Sequence, residues 1–248
     1  MLAAILICGM TMVLTSCSSK DDDPAPSQTL PKSYNLVADE YKEAILDSTI
    51  WTNIANTPQD QGQTFTIESP KPGARLNIVI MGESAGGGLT ARMALWNKDK
   101  GNVPVKGAVL IYPMLDYRTG GPADLYKDDM TGEFVWTKED NVLGWAYLKH
   151  EQDIPADEMI YYSPAVATPE QLKGFPTTFL IVGTLDLFVH EDKAFVEQLK
   201  LAGVQAESHV ETGVPHSYDV MLNDSPQTIR FKNLRDNHVK AMFESGSN

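Results

Sequence analysis

The apolar positions of the chain follow two alternating patterns. Short apolar runs fall at 77–81, 107–112 and 177–182, and a mixed run, in which His209 alternates with apolar positions, falls at 206–210. Between and after them, apolar residues recur every three or four positions: Leu89, Met93 and Trp96, then Phe195, Leu199 and Ala202, then Phe231, Leu234, His238 and Met242. Unbroken runs read as strands covered on both faces, and the spaced ones as amphipathic helices. Gly101 stops the first helix, Gly203 caps the second, and Pro113 halts the second strand. Strands alternating with helices predict an α/β fold with a mostly parallel sheet.

Two regions fit this rhythm poorly. Residues 34–63 carry a helical pattern around Tyr41, Ile45 and Ile50, followed by turns rich in Asn, Thr and Gln, and no chemistry attaches to them. Residues 114–170 are irregular and rich in Tyr, Trp and Pro; Trp136, Trp145 and Tyr147 there either pack internally or line a pocket. No internal repeat is visible.

Composition narrows the picture. With 248 residues, 42% hydrophobic and 21% charged, the chain suits one domain with an extension and is not globally disordered. Thirty-three acidic against twenty basic residues give a net charge of -13. That argues against a nucleic-acid partner, which needs clustered Lys and Arg. Both cysteines, Cys8 and Cys17, precede the folded part, so that part has no disulfide, thiolate metal site or cysteine nucleophile. No cofactor is implied.

The sharpest chemical signal is Gly82-Glu83-Ser84-Ala85-Gly86, between the first predicted strand and its helix. G-x-S-x-G in that setting is a nucleophile elbow: a tight turn lifts the serine hydroxyl above the sheet, and the Ala85 N–H that follows faces a developing oxyanion. Gly86, Gly87 and Gly88 are expected to let the helix approach the strand. A serine needs a base and an orienting acid, which follow in the order acid, then histidine. Asp186 lies just beyond the third strand and His216 beyond the fourth, on the edge where ligands bind a parallel sheet. Asp192 is the second candidate acid. His190 with Glu191 and Asp192 opens a helix, where acidic residues favour the dipole. His209 sits in a strand, His150 in a charged loop and His238 in the last helix.

Residues 75–220 resemble the hormone-sensitive-lipase-like branch of the α/β-hydrolases, which are bacterial carboxylesterases (GDXG or acetyl-esterase-like). IVIMGESAGGGL, KGAVLIYPMLDYRT, FLIVGTLDLFVHEDKAFVEQLKLAGV and GVPHSYDV carry the likeness. It implies Ser84 as nucleophile, Asp186 as acid, His216 as base and Ala85 as oxyanion donor, acting on short-chain acyl esters that are small molecules or polysaccharide-borne. Where the family usually has Gly after the histidine, this chain has Ser217. The family's upstream His-Gly-Gly-Gly segment has no counterpart in the sequence. The hydrolase part therefore reads as partial, with its first strands largely missing and an edge at 77–81 that either 64–68 covers or that promotes self-association.

Residues 2–14 form an apolar run that ends in Leu14-Thr15-Ser16-Cys17, which resembles a bacterial lipobox. The likeness implies a signal peptide over 1–17, lipidation at Cys17 and a membrane anchor in the cell envelope. The acidic cluster Asp21-Asp22-Asp23 resembles the export signals of surface lipoproteins in Bacteroidetes. Residues 18–33 then read as a flexible tether, 34–63 as a segment of unassigned role and 64–248 as the partial hydrolase domain.

Overall fold

Four strands, β1 (Ile78–Glu83), β2 (Val105–Ile111), β3 (Thr177–Gly183) and β4 (Ala206–Glu211), pair in sequence order as one parallel sheet. This computed structural model describes residues 30–47, 77–101 and 103–245. The four strands expected at 77–81, 107–112, 177–182 and 206–210 are present, within two residues of those bounds. The two central strands explain the unbroken runs. Leu110 and Ile111 of β2 and Leu180, Ile181 and Val182 of β3 are fully buried, because helices cover both faces. β4, the edge of the sheet among the described residues, mixes buried Ala206 and Glu211 with exposed Glu207 and Ser208.

Seven helices lie among the described residues: α1 (Ala85–Lys100), α2 (Lys138–Lys149), α3 (Met159–Tyr162), α4 (Pro169–Leu172), α5 (Val189–Leu201), α6 (Tyr218–Met221) and α7 (Pro226–Glu244). Helices α1 and α5 are bridged by α3, α4 and the turn at Pro164–Val166, on one side of the sheet. Helix α7 packs across β1, β2 and β3 and covers the other side. Its Phe231 and Met242 are buried as the pattern predicts, and His238 stacks on Phe179 of β3 with ring centroids 3.7 Å apart. Helix α5 buries Phe195 and Leu199 and ends with Gly203 at φ +77°, where the Gly203 and Val204 N–H groups close the last turn on Lys200 and Leu199.

Helix α1 departs from its pattern. Leu89, Met93 and Trp96 do not face the sheet; each is about half exposed. The face against β1 and β2 is made instead of Gly87, Gly88, Thr90, Ala91, Ala94 and Leu95. Small residues win that face because the elbow brings the helix too close to the sheet for long side chains. Met81 on β1 is exposed as well, and among the described residues no strand pairs with the outer edge of β1. The strand expected at 64–68 lies outside the described residues.

The described part of the N-terminal stretch is not a continuous helix but three 3-10 turns, Lys32–Leu36, Asp39–Tyr41 and Ala44–Leu46; residues 48–63, Ile50 among them, lie outside the described residues. Its first residues also correct the expected tether. Ser33 is fully buried, and both its N–H and its hydroxyl donate to Glu133 at 2.6 Å. The chain is therefore docked from Lys32 onward. The Ala38 N–H donates to the Gly213 carbonyl at 2.7 Å, and fully buried Tyr41 reaches Tyr218, Ser225 and Thr228. The lipobox, Cys17 and residues 18–29 lie outside the described residues.

Candidate active site

The elbow follows from close contacts that only glycine tolerates. A Cβ on Gly82 would sit 2.5 Å from the Thr90 hydroxyl and closer still to the Gly86 carbonyl; one on Gly87 would sit 2.9 Å from Pro113. Gly88 faces the Met114 carbonyl in the same way. Gly86 is different: its carbonyl lies against Gly82, but a Cβ of its own would meet nothing within 4 Å, so the close approach does not require glycine there. Ser84 itself holds φ 54° and ψ -125°, a strained conformation that persists because its neighbours fix it. Its N–H donates to Ile111 at 2.9 Å, and its carbonyl accepts from Gly88 and Met114, each at 3.0 Å.

This turn brings Ser84 to His216 and Asp186. Ser84 Oγ lies 2.9 Å from His216 Nε2, and His216 Nδ1 lies 2.8 Å from Asp186 Oδ2. Asp186 is fully buried and its other oxygen accepts the Phe188 N–H at 2.9 Å, which fixes the carboxylate plane. The loop bearing His216 is held by three ties. Val214 O accepts from Leu185 N, Gly213 N donates to Thr184 Oγ1 at 2.8 Å, and Gly213 O accepts from Ala38 N. Ser217 adopts a left-handed conformation, φ 55° and ψ 30°, which explains why glycine suits that place better. Ala85 is the first residue of α1, so its N–H has no carbonyl one turn back to bond.

Three rings surround the imidazole: Tyr112 at 4.7 Å, Phe188 at 5.3 Å and Trp136 at 6.4 Å between centroids. Tyr112 and Phe188 are buried; Trp136 is half-buried. The Tyr112 hydroxyl donates to Asp219 at 2.8 Å. Removal from water, with Asp219 and Glu83 nearby, raises the Tyr112 phenol far above its ordinary range, so it stays protonated and donates at any working pH. Of the other aromatics singled out in the sequence, Trp145 is buried against Tyr162 at 5.0 Å and Tyr147 is exposed on α2. Neither makes a ring contact with His216 among the described residues. Among the described residues no group of three or more His, Cys, Asp or Glu could hold a metal ion, and no helix is long and apolar enough to cross a membrane.

Glu191 and Asp192 are not solvated dipole partners, as their place at a helix start suggests, but fully buried acids. Glu191 accepts the Leu115 and Asp116 N–H groups at 2.7 and 3.0 Å and the Thr119 hydroxyl, tying α5 to the segment after β2. Neither oxygen of Asp192 has a hydrogen-bond partner among the described residues. Burial drives its pKa well above the ordinary carboxylate value, and the charges of Glu191 and Asp186 push the same way. Between the ordinary and the raised value the unfolded chain has released this proton and the folded one keeps it. Stability therefore falls as pH rises through that window and levels off above it. Asp192→Asn is expected to unfold at higher urea than wild type near pH 8 and to lose less stability between about pH 5 and 8. Parallel curves for the two proteins across that range would show that Asp192 is not protonated in the folded state.

A parallel sheet whose first strand turns through a serine elbow into a helix, with a histidine and an acid supplied from later strand ends, is the architecture of an α/β-hydrolase. A family model described as alpha/beta hydrolase fold matches residues 21–220, and the chain belongs to that family, Abhydrolase_3. Esterase LipU of Mycobacterium tuberculosis is 28% identical over 158 residues, which are 62% of this chain and 50% of LipU. The gibberellin receptor GID1A of Arabidopsis thaliana is 26% identical over 168 residues, 67% of this chain and 46% of the receptor. A solved bacterial heroin esterase superposes with a TM-score of 0.54 at 29% identity, covering 63% of this chain and 48% of its own. The chain thus spans about half the length of these relatives.

Proposed function

We propose that the protein is a serine carboxylesterase of the hormone-sensitive-lipase-like branch, cleaving short-chain acyl esters, acetyl esters among them. The observation that carries this reading is the unbroken hydrogen-bonded line from Ser84 Oγ through His216 to buried Asp186. In the reaction His216 Nε2 takes the Ser84 proton as Oγ attacks the ester carbonyl carbon. The imidazolium, steadied by Asp186, then gives that proton to the leaving alcohol oxygen as the C–O bond breaks. Water, deprotonated by His216, attacks the resulting acyl-Ser84, and the returning proton frees the serine as the acid departs. The Ala85 N–H stabilises the oxyanion in both halves.

A second reading is a weakly active or non-catalytic lipoprotein that retains the triad. It is favoured by the lack of a His-Gly-Gly-Gly run in the sequence and by the receptor among the relatives. Loss of one oxyanion donor costs ~10² to 10³ in turnover. The expected result is therefore 4-nitrophenyl acetate hydrolysis that is slow for an esterase, yet above the buffer rate and above that of Ser84→Ala. Equal rates for the protein and Ser84→Ala would leave the second reading.

The protein is further proposed to be anchored in the bacterial cell envelope by lipid on Cys17, at the outer membrane and facing the surface. Leu14-Thr15-Ser16-Cys17 and the acidic residues behind it support this. Several acyl chains hold a protein where a single one binds reversibly. Wild type should sediment with membranes and Cys17→Ala should not. Release of both into the soluble fraction would overturn the anchor.

A further inference from the structure

Trp136 is held at the active site by features that the general fold does not require. The residue before it, Val135, has φ 67°, a conformation that a β-branched side chain rarely adopts. The Trp136 N–H closes a three-residue turn on the Phe134 carbonyl at 2.7 Å. Such γ-turns with positive φ are rare and strained. Strain of this kind persists only where the surroundings over-determine it, and it collects at functional sites. Here the surroundings are specific. Trp136 Nε1–H donates to Asn141 Oδ1 at 3.2 Å, and the fully buried Asn141 donates from Nδ2 to the Thr119 carbonyl at 2.8 Å. The Thr119 hydroxyl in turn bonds Glu191. A Cβ on Gly144 would lie 3.2 Å from the indole, so α2 closes on the ring from behind.

The position of the ring tells which part of a substrate it meets. During acylation the leaving oxygen must come within hydrogen-bond reach of His216 Nε2, because that atom delivers its proton. The alcohol part is therefore carried beside the imidazole, which is itself buried, against the rings that pack around it. Tyr112 and Phe188 are sealed in the core, which leaves the half-buried Trp136 as the ring of the three that an alcohol can touch. An indole face favours flat partners, whether aryl rings or the C–H face of a sugar ring, over short open chains.

We propose that Trp136 is a specificity-determining residue for the leaving group, held by Asn141 as a positioning residue, and that it selects esters of alcohols bearing a flat ring. This rests on the esterase reading above. The test uses acetates of fixed acyl part and varied alcohol: phenyl acetate, an acetylated methyl xyloside and ethyl acetate. All three share one acetyl-enzyme, so kcat/KM reports the step in which the alcohol departs. Trp136→Ala should lower kcat/KM roughly tenfold for the ring-bearing acetates and change ethyl acetate by no more than about twofold, and Trp136→Phe should restore most of the loss. A loss confined to phenyl acetate assigns the face to aryl alcohols, and one confined to the xyloside assigns it to sugars. Equal losses on all three substrates, or an effect that follows acyl length when phenyl butyrate replaces phenyl acetate, would overturn the leaving-group assignment alone. Failure of wild type to turn over any acetate, with no labelling of Ser84 by an aryl phosphonate, would overturn the esterase reading and this inference with it.

Discussion

His216→Ala is expected to remove essentially all esterase activity, a fall of ~10⁶ in kcat if the three residues act as one unit. Ser84→Ala should fall equally far, and the double variant no further, because either change alone already disables the nucleophile. Asp186→Asn should fall less, by ~10⁴, since the imidazole is kept but held in the wrong tautomer. Its 2.8 Å bond to His216 Nδ1 and the clamp from the Phe188 N–H leave Asp186 no other orientation. The measurement is kcat on 4-nitrophenyl acetate, with the folded fraction of each variant checked by circular dichroism, so that unfolded protein is not counted as inactive enzyme. Additive losses in the double variant would show that Ser84 and His216 do not act in one step. Retained activity in Asp186→Asn would shift the acid role elsewhere; Asp192, though buried nearby, makes no hydrogen bond to His216 among the described residues.

Much of this site could be read from the chain because each part rests on a local signal. The elbow needs glycine where β1 and α1 meet, the acid follows a strand whose apolar run is unmistakable, and the base follows the mixed strand after it. The register of β3 against β4, from Thr178 opposite Ala206 to Gly183 opposite Glu211, sets Asp186 and His216 at neighbouring strand ends. What the pattern misjudged was decided by distance in space. Leu89, Met93 and Trp96 recur at helical spacing, yet the elbow forces the small residues of α1 inward and turns that stripe outward. Glu191 and Asp192 look like an ordinary acidic first turn until the segment after β2 is packed on them. Trp136 carried only a general aromatic signal. The sequence cue was faint: a β-branched residue before it and an Asn five positions on, neither of which reveals a strained turn or a buried amide.

The N-terminal stretch was legible only as a weak helix pattern, because its structure comes from contacts made across the whole chain rather than from its own periodicity. Asp39–Tyr41 is a single 3-10 turn, too short to hold itself together without the body it docks on. Its anchor is Tyr41, and Tyr41 reaches the element that follows His216 by two residues.

Tyr41→Ala is accordingly expected to destabilise the protein by ~3–5 kcal/mol, the range for emptying a buried aromatic site. The ring is fully buried and meets Tyr218 edge-on, with centroids 6.4 Å apart. Its hydroxyl lies 3.2 Å from the Tyr218 carbonyl, 2.7 Å from Ser225 Oγ and 3.2 Å from Thr228 Oγ1. Tyr41→Phe keeps the ring and loses only these bonds. Ser225 and Thr228 still bond each other at 3.2 Å, so the cost should be about 1–2 kcal/mol. Urea unfolding followed by circular dichroism reads both values from the shift in midpoint at constant slope. Tyr218 also packs on Tyr112, which packs on His216, so Tyr41→Ala should lower kcat on 4-nitrophenyl acetate as well. Tyr41→Phe should leave kcat nearly unchanged, because the ring still braces Tyr218. A Tyr41→Ala protein within ~0.5 kcal/mol of wild type, as an ordinary surface change would be, would mean that residues 30–47 do not support the histidine loop.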